Sequence, residues 1–211
     1  MGTVFQKNVK LYINNNNNDV INYAKNNNKQ NMYDISFNSE TVANKNTKLV
    51  IVGTYTPKKG RLKGYYYTSD ERNKTYQILQ DYFKIELVKR KQFLNAHPMH
   101  QKTISEIKEL LISKNIAFID VVGSAISPDN NASNDKIEFF SLDKDAFKNL
   151  DPNVVYICNS KDSEEAFKIM FPNKKYRFAQ QEQFCKSYDY IYKIWETVLD
   201  DYYDRTSNKW R

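Results

Sequence analysis

The sequence predicts an α/β fold, a three-layer α/β/α sandwich built around a central, mainly parallel four-stranded sheet. Three observations lead there. The apolar runs at Leu49–Val52, Ile116–Val122 and Val154–Cys158 are nearly continuous, the pattern of strands covered on both faces. Segments with apolar residues at helical spacing stand between them, so strand and helix alternate along the chain. At 211 residues the chain is long enough for one core of ordinary size.

Taken in order, residues 1–48 form an asparagine-rich segment with an uninterrupted run at Asn14–Asn18. Such polar sequence buries little apolar surface to offset ordering entropy. Apolar residues at Val20, Ile21, Tyr23 and Ala24, then at Tyr33, Ile35 and Phe37, predict one short helix and one extended piece packed on the main body. The expected division is therefore a partly ordered segment 1–48 and an α/β domain 49–211. The first strand covers Lys48–Val52. A helix is expected from about Asp70 to Lys84, capped by Ser69 or Asp70 and carrying Tyr76, Leu79, Tyr82 and Phe83 at helical spacing.

Thr103–Lys114 reads as a second amphipathic helix, with Thr103 as cap and Glu106 as its reciprocal partner. Ile116–Val122 is the next buried strand, interrupted by Asp120, whose charge is costly there unless hydrogen-bonded or at the sheet rim. Gly123–Asn134 is expected to be a polar loop and Leu142–Leu150 a short helix capped by Ser141. Val154–Cys158 is a third strand, Ser163–Phe171 a helix, and Tyr176–Ala179 a fourth strand. The last helix is expected over Ser187–Tyr203, with Tyr188, Ile191, Trp195, Val198 and Leu199 on its apolar stripe.

The formal charge of +7 and a pI near 9.1 suit a polyanionic partner, nucleic acid being the commonest, although a lysine- and asparagine-rich composition gives the same balance without one. Cys158 and Cys185 are too few for a disulfide framework or a four-cysteine cluster. Neither a signal peptide nor an apolar run near ~20 residues is present, so a cytoplasmic protein without membrane contact is expected. His97 and His100 flank Pro98 without a nearby carboxylate or cysteine, and no metal site or other cofactor is expected.

The stretch Leu49–Asn73 is the candidate site. A buried strand turns at Gly53, passes through Tyr55 and Pro57 into the basic loop Lys58, Lys59, Arg61 and Lys63, and reaches the triplet Tyr65, Tyr66 and Tyr67. Open α/β sheets place ligands where a strand's carboxyl end feeds such a loop. A nucleotide or nucleobase is the expected occupant. Asp120, Asp135 and Asn159 stand at other loops that would converge on the same sheet edge.

Those residues also carry a resemblance. Gly53–Pro57, then Tyr66 and Tyr67, then Asn73–Tyr76, then the apolar strand ending in Asp120, then Ala132, Ser133, Asn134, Asp135 and Ile137, then Ile157–Ser160 follow in the order of motifs in the uracil-DNA glycosylase superfamily. The chain resembles most closely its hypoxanthine or mismatch-specific branch. Two positions differ: Tyr55 occupies a slot where other branches carry an acidic or amide residue, and Arg177–Phe184 lacks the family's duplex-inserting Pro-Ser turn.

The resemblance implies a metal-independent, monofunctional DNA glycosylase that hydrolyses the N-glycosidic bond of a damaged or modified base flipped out of DNA. Asn73 would orient the water. Tyr55, Tyr66, Tyr67 and Asn159 would bind the base, with Asp120, Ser133 and Asp135 organising the site. Stacking of a base on tyrosine is worth about 1–3 kcal/mol. Lys58, Lys59, Arg61, Lys63 and Arg177 would contact the phosphates of single- or double-stranded DNA. Simpler roles stand beside these: the tyrosines as half-buried strand surface, Asn73 as a helix cap, Asn159 as a loop tie and the lysines as a solvated loop. The alternative reading is a catalytically silent nucleic-acid or nucleotide sensor, and a third is an enzyme acting on a free nucleoside. The chain is expected to be a monomer.

Overall fold

The computed structural model describes residues 17–30, 33–56, 66, 74–85, 104–126, 139–180 and 187–210. Helix α1 (Asn17–Asn26) and strand β1 (Tyr33–Ile35) precede a 3-10 turn at Phe37–Glu40. Strand β2 (Leu49–Gly53) follows, then helices α2 (Thr75–Phe83) and α3 (Ile104–Ser113). Strands β3 (Ile116–Asp120), β4 (Val122–Ile126), β5 (Phe139–Leu142) and β6 (Val155–Cys158) lead to helix α4 (Lys161–Met170). Strand β7 (Arg177–Phe178), helix α5 (Tyr188–Asp200) and the hairpin of β8 (Tyr203–Asp204) and β9 (Lys209–Trp210) complete the order.

The central sheet has four parallel strands in the order β3-β2-β6-β7. Central β2 is buried on both faces, and its pleat explains the unbroken apolar run. Leu49 and Ile51 pack with Tyr76, Leu79, Ile107, Leu111 and Trp195 from α2, α3 and α5. Val50 and Val52 point the other way, onto Ala166, Phe167 and Met170 of α4 and onto Phe140 and Leu142 of β5. Alternate residues of one strand thus serve two cores.

Several sequence expectations are corrected. The run Ile116–Val122 is not one strand: β3 ends at Asp120, and the chain crosses into β4, which belongs to a second, antiparallel sheet in the order β1-β4-β5. Gly123 therefore opens no loop. Residues up to Ile126 pair on both sides, with Tyr33–Ile35 and with Phe139–Leu142. The expected helix Leu142–Leu150 is reduced to a 3-10 turn, Asp145–Phe147. Ser141 lies in β5 and shares a 2.9 Å hydrogen bond with Ser124 instead of capping a helix, while Asp143 Oδ1 accepts from the Ala146 amide.

Helix α4 starts at Lys161 rather than at Ser163, because Ser160 caps it. Helix α5 stops at Asp200, since Tyr203 pairs with Trp210 in the terminal hairpin. Helix α2 begins at Thr75, with Lys74 at its N-cap, rather than near Asp70; the expected caps Ser69 and Asp70 lie outside the described residues.

The outer side of β3 is a sheet edge with no strand partner, yet β3 is buried along its length, so its backbone groups need other partners. Side chains from the stretch before β2 do this. The Thr41 hydroxyl donates to the Phe118 carbonyl at 2.7 Å, and the Asn38 amide brackets Asp120, accepting from its N–H at 2.9 Å and donating to its carbonyl at 2.8 Å. A single carboxamide there substitutes for a strand partner. No described helix is long and apolar enough to cross a membrane.

Candidate functional site at the carboxyl edge of the parallel sheet

Three adjacent strands end side by side. Gly53 pairs in register with Asp120, and the Asn159 amide donates to the Val52 carbonyl at 3.1 Å, so the ends of β3, β2 and β6 form one ledge. Asp120 and Asn159, read from sequence as members of one site, are brought to that ledge. The turn Thr54–Thr56 leaves it from the centre and is buried throughout.

Asp120 is 1 % exposed, and its carboxylate lies directly over Gly53. A Cβ at position 53 would stand 2.3 Å from Asp120 Oδ1, so glycine is required by this close approach. Burial pushes the Asp120 carboxyl up to about 7, against the pull of the nearby Thr56 amide and hydroxyl. The Thr56 hydroxyl is near enough to act on the charge, but among the described residues neither Thr56 Oγ1 nor Asp120 Oδ2, both buried, makes a hydrogen bond of ordinary geometry. Buried polar atoms of this kind are uncommon in folded proteins, and a polar ligand reaching the sheet end would satisfy them.

Asn38 holds this end of the molecule together. Beyond Asp120, its Nδ2 donates to Asp143 Oδ2 at 3.0 Å, and its Oδ1 accepts from the Tyr66 hydroxyl at 3.3 Å. Nothing in the sequence distinguished Asn38 from the other asparagines around it. Ser160, by contrast, sits in a readable pattern: its Oγ accepts from the Ser163 amide at 3.1 Å, and Ser163 Oγ accepts from the Ser160 amide at 3.2 Å. Its hydroxyl also lies 2.9 Å from Thr54 Oγ1, which ties the start of α4 to the β2 turn. Ser160→Ala is expected to lower the unfolding free energy by about 1–2 kcal/mol, read from urea unfolding midpoints at unchanged slope.

The other named residues divide. Tyr55 is 1 % exposed and packs in the core facing α4. Tyr66 adopts a positive φ of 45° and is also in a core, stacked on Phe118 with ring centroids 5.5 Å apart and tilted against Phe37. The Arg177 guanidinium donates to the Tyr202 hydroxyl and to Asp201, both at 3.0 Å, next to α5. Lys58, Lys59, Arg61, Lys63, Tyr67, Asn73, Ser133 and Asp135 lie outside the described residues, as do His97 and His100. Among the described residues no group of three or more His, Cys, Asp or Glu is placed to hold a metal ion. Burial pushes the Cys158 thiol far up, so beside Asn159 it is no nucleophile.

No protein-family model matches this chain, and no curated protein matches it. Among solved structures, it is similar to the solution NMR structure of a candidate uracil DNA glycosylase from Methanosarcina acetivorans. The two share 16 % identity with a TM-score of 0.48, over 76 % of this chain and 94 % of that one. A likeness of that degree leaves the functional argument to the residues themselves.

Proposed function

We propose that the protein is a DNA glycosylase-like enzyme that binds an extruded, modified base at the carboxyl edge of its parallel sheet and hydrolyses the N-glycosidic bond without a metal. The observation that carries this reading is the chemistry of the ledge. Asp120, whose carboxyl keeps its proton to near neutrality, stands on the same ledge as Asn159, across the end of β2 from it, and the Asn159 side-chain amide can both donate and accept. Neutral hydrogen-bonding groups suit an uncharged base better than a phosphate or a cation. The phosphates of DNA would fall to the basic loop Lys58–Lys63, which continues directly from the β2 turn.

Cleavage breaks the bond between sugar C1′ and the base nitrogen. The base leaves with the electron pair, the sugar gains oxocarbenium character, and water adds to C1′ as it loses a proton. Asn73, by the sequence resemblance, orients that water, and neutral donors at the ledge stabilise the charge developing on the base.

The alternative is a sensor on the same fold that binds nucleic acid without cutting it. Tyr55 favours it, because that side chain is buried and supplies no acid to the edge. Oligonucleotides carrying uracil, hypoxanthine, xanthine or modified cytosines distinguish the two. The enzyme is expected to leave alkali-labile abasic sites on at least one of them, and Asn73→Ala to reduce that rate by about 100-fold or more. Binding without cleavage on every substrate establishes the sensor, and an unchanged rate in Asn73→Ala removes the water-orienting role.

A further inference from the structure

A second groove lies at the other end of β6, on the amino-terminal edge of the sheet, away from the ledge. We infer that it binds a phosphomonoester carried on a flat ring, of the size of a nucleoside monophosphate. The groove encloses about 390 Å³ between the chain entering β6, the turn after α4 and Tyr202. That volume falls within the range of roughly 300–1,000 Å³ typical of small-molecule clefts.

Its charge is one-sided. Lys174 and Lys175 line it, and no aspartate or glutamate does. The cations around its rim are neutralised: Lys48 pairs with Asp151 at 2.8 Å, Arg177 with Asp201 at 3.0 Å and Lys168 with Glu164 at 2.9 Å. Among the described residues the two lysines inside have no such carboxylate. Lys174 Nζ donates to the neutral Tyr156 hydroxyl at 3.0 Å and lies 5.0 Å from the centre of that ring. Two lysines lining one groove, with no carboxylate partner among the described residues, select an anion.

The rest of the lining selects a flat one. Tyr156, Tyr176 and Tyr202 all contribute, and hydroxyl bonds fix two of them from behind. Tyr176 donates to Glu164 Oε1 at 2.9 Å, and Tyr202 accepts from Arg177 Nε at 3.0 Å. Tyr156 is 3 % exposed and presents little beyond its hydroxyl, so the stacking surface comes from the half-buried Tyr176 and Tyr202, whose anchored rings offer it at little further entropic cost. The exposed Asn153 adds an amide at the mouth. Phosphate on the lysines with a base or similar ring against the tyrosines satisfies all of these groups.

The ligand has two sources, a free nucleotide or the 5′-phosphorylated end of a strand, and they are separable. Tyrosine ring signals of the full chain are followed by NMR while three probes are added in turn: inorganic phosphate, adenosine monophosphate, and a short oligothymidylate with or without its 5′-phosphate. Saturable shifts at Tyr156, Tyr176 and Tyr202 with the monophosphate are expected, with inorganic phosphate weaker because it cannot stack. Equal saturation by the 5′-phosphorylated oligonucleotide, and not by its unphosphorylated form, assigns the strand end; saturation by the monophosphate alone assigns the free nucleotide. Lys175→Gln and Lys174→Met are each expected to weaken binding roughly tenfold. Lys175 is exposed and makes no hydrogen bond or ion pair among the described residues, so its replacement leaves the fold intact. Absence of saturable shifts with every nucleotide probe, or affinity unchanged in both variants, overturns the inference. Because the groove and the ledge are at opposite ends of β6, either result stands apart from the glycosylase assay.

Discussion

Asn38→Ala is expected to lower the stability of the protein by about 3–5 kcal/mol, the largest effect of any single polar substitution described above. The substitution takes the carboxamide away from four partners: the N–H and the carbonyl of Asp120, Asp143 Oδ2 and the Tyr66 hydroxyl. Most of them are buried, and each unsatisfied buried group costs about 1–3 kcal/mol. No repacking by alanine restores them. Guanidinium unfolding with linear extrapolation measures the loss. Asn38→Asp provides the control for the donor. It keeps the oxygen that accepts from Asp120 and Tyr66, but faces the Asp120 carbonyl and the Asp143 carboxylate with a second negative oxygen. Its deficit should therefore exceed that of alanine at pH 8 and shrink as acid supplies a proton to that contact.

Asp120→Asn is expected to make the protein more stable above pH 7 and to remove a pH dependence that the native chain carries. The folded carboxyl titrates near 7, against an ordinary value of 3.8. Below about pH 4 the group is protonated in both states and contributes no pH dependence. Between about 4 and 7 the unfolded chain has lost the proton that the folded chain keeps, so stability falls as pH rises. Above 7 both states are ionised and the full cost persists, on the order of 4 kcal/mol for a shift of this size. Asparagine has the shape of the protonated acid and no charge to bury. Unfolding free energies of the two proteins should converge near pH 4 and separate steadily towards pH 7. Equal slopes for both proteins across that interval would show that Asp120 is not the titrating group. A stabilised variant that also loses activity is the behaviour expected of a residue kept for function at the expense of stability.

The ledge was partly legible from sequence. Asp120 stood out as a charge inside an apolar run, and Gly53 as the stop of a buried strand. Strand periodicity then predicted that such ends meet at one edge. Tyr66 shows where this reasoning stops, because a tyrosine in a triplet carries no local sign of whether its ring faces a ligand or a core. The ring is stacked on Phe118, with its hydroxyl on Asn38, a residue 28 positions earlier. Asn38 and Asp120 are 82 residues apart, and no spacing rule reaches that far. The second sheet escaped for a related reason. Its strands have three to five residues each, and β4 carries Gly123 and Ser124, so pairing with β1 and β5 supplies what local propensity does not.

By itself the sequence determined the parallel sheet, the cores of its three main strands and most of the helices, because burial on two faces leaves a continuous apolar run and helical packing leaves a stripe. The folded chain alone decided which asparagine satisfies the edge of β3, which tyrosines enter the cores and where the lysines without counter-charge collect. Those outcomes depend on hydrogen bonds and ion pairs between distant residues, and such partners leave no periodic trace in the chain.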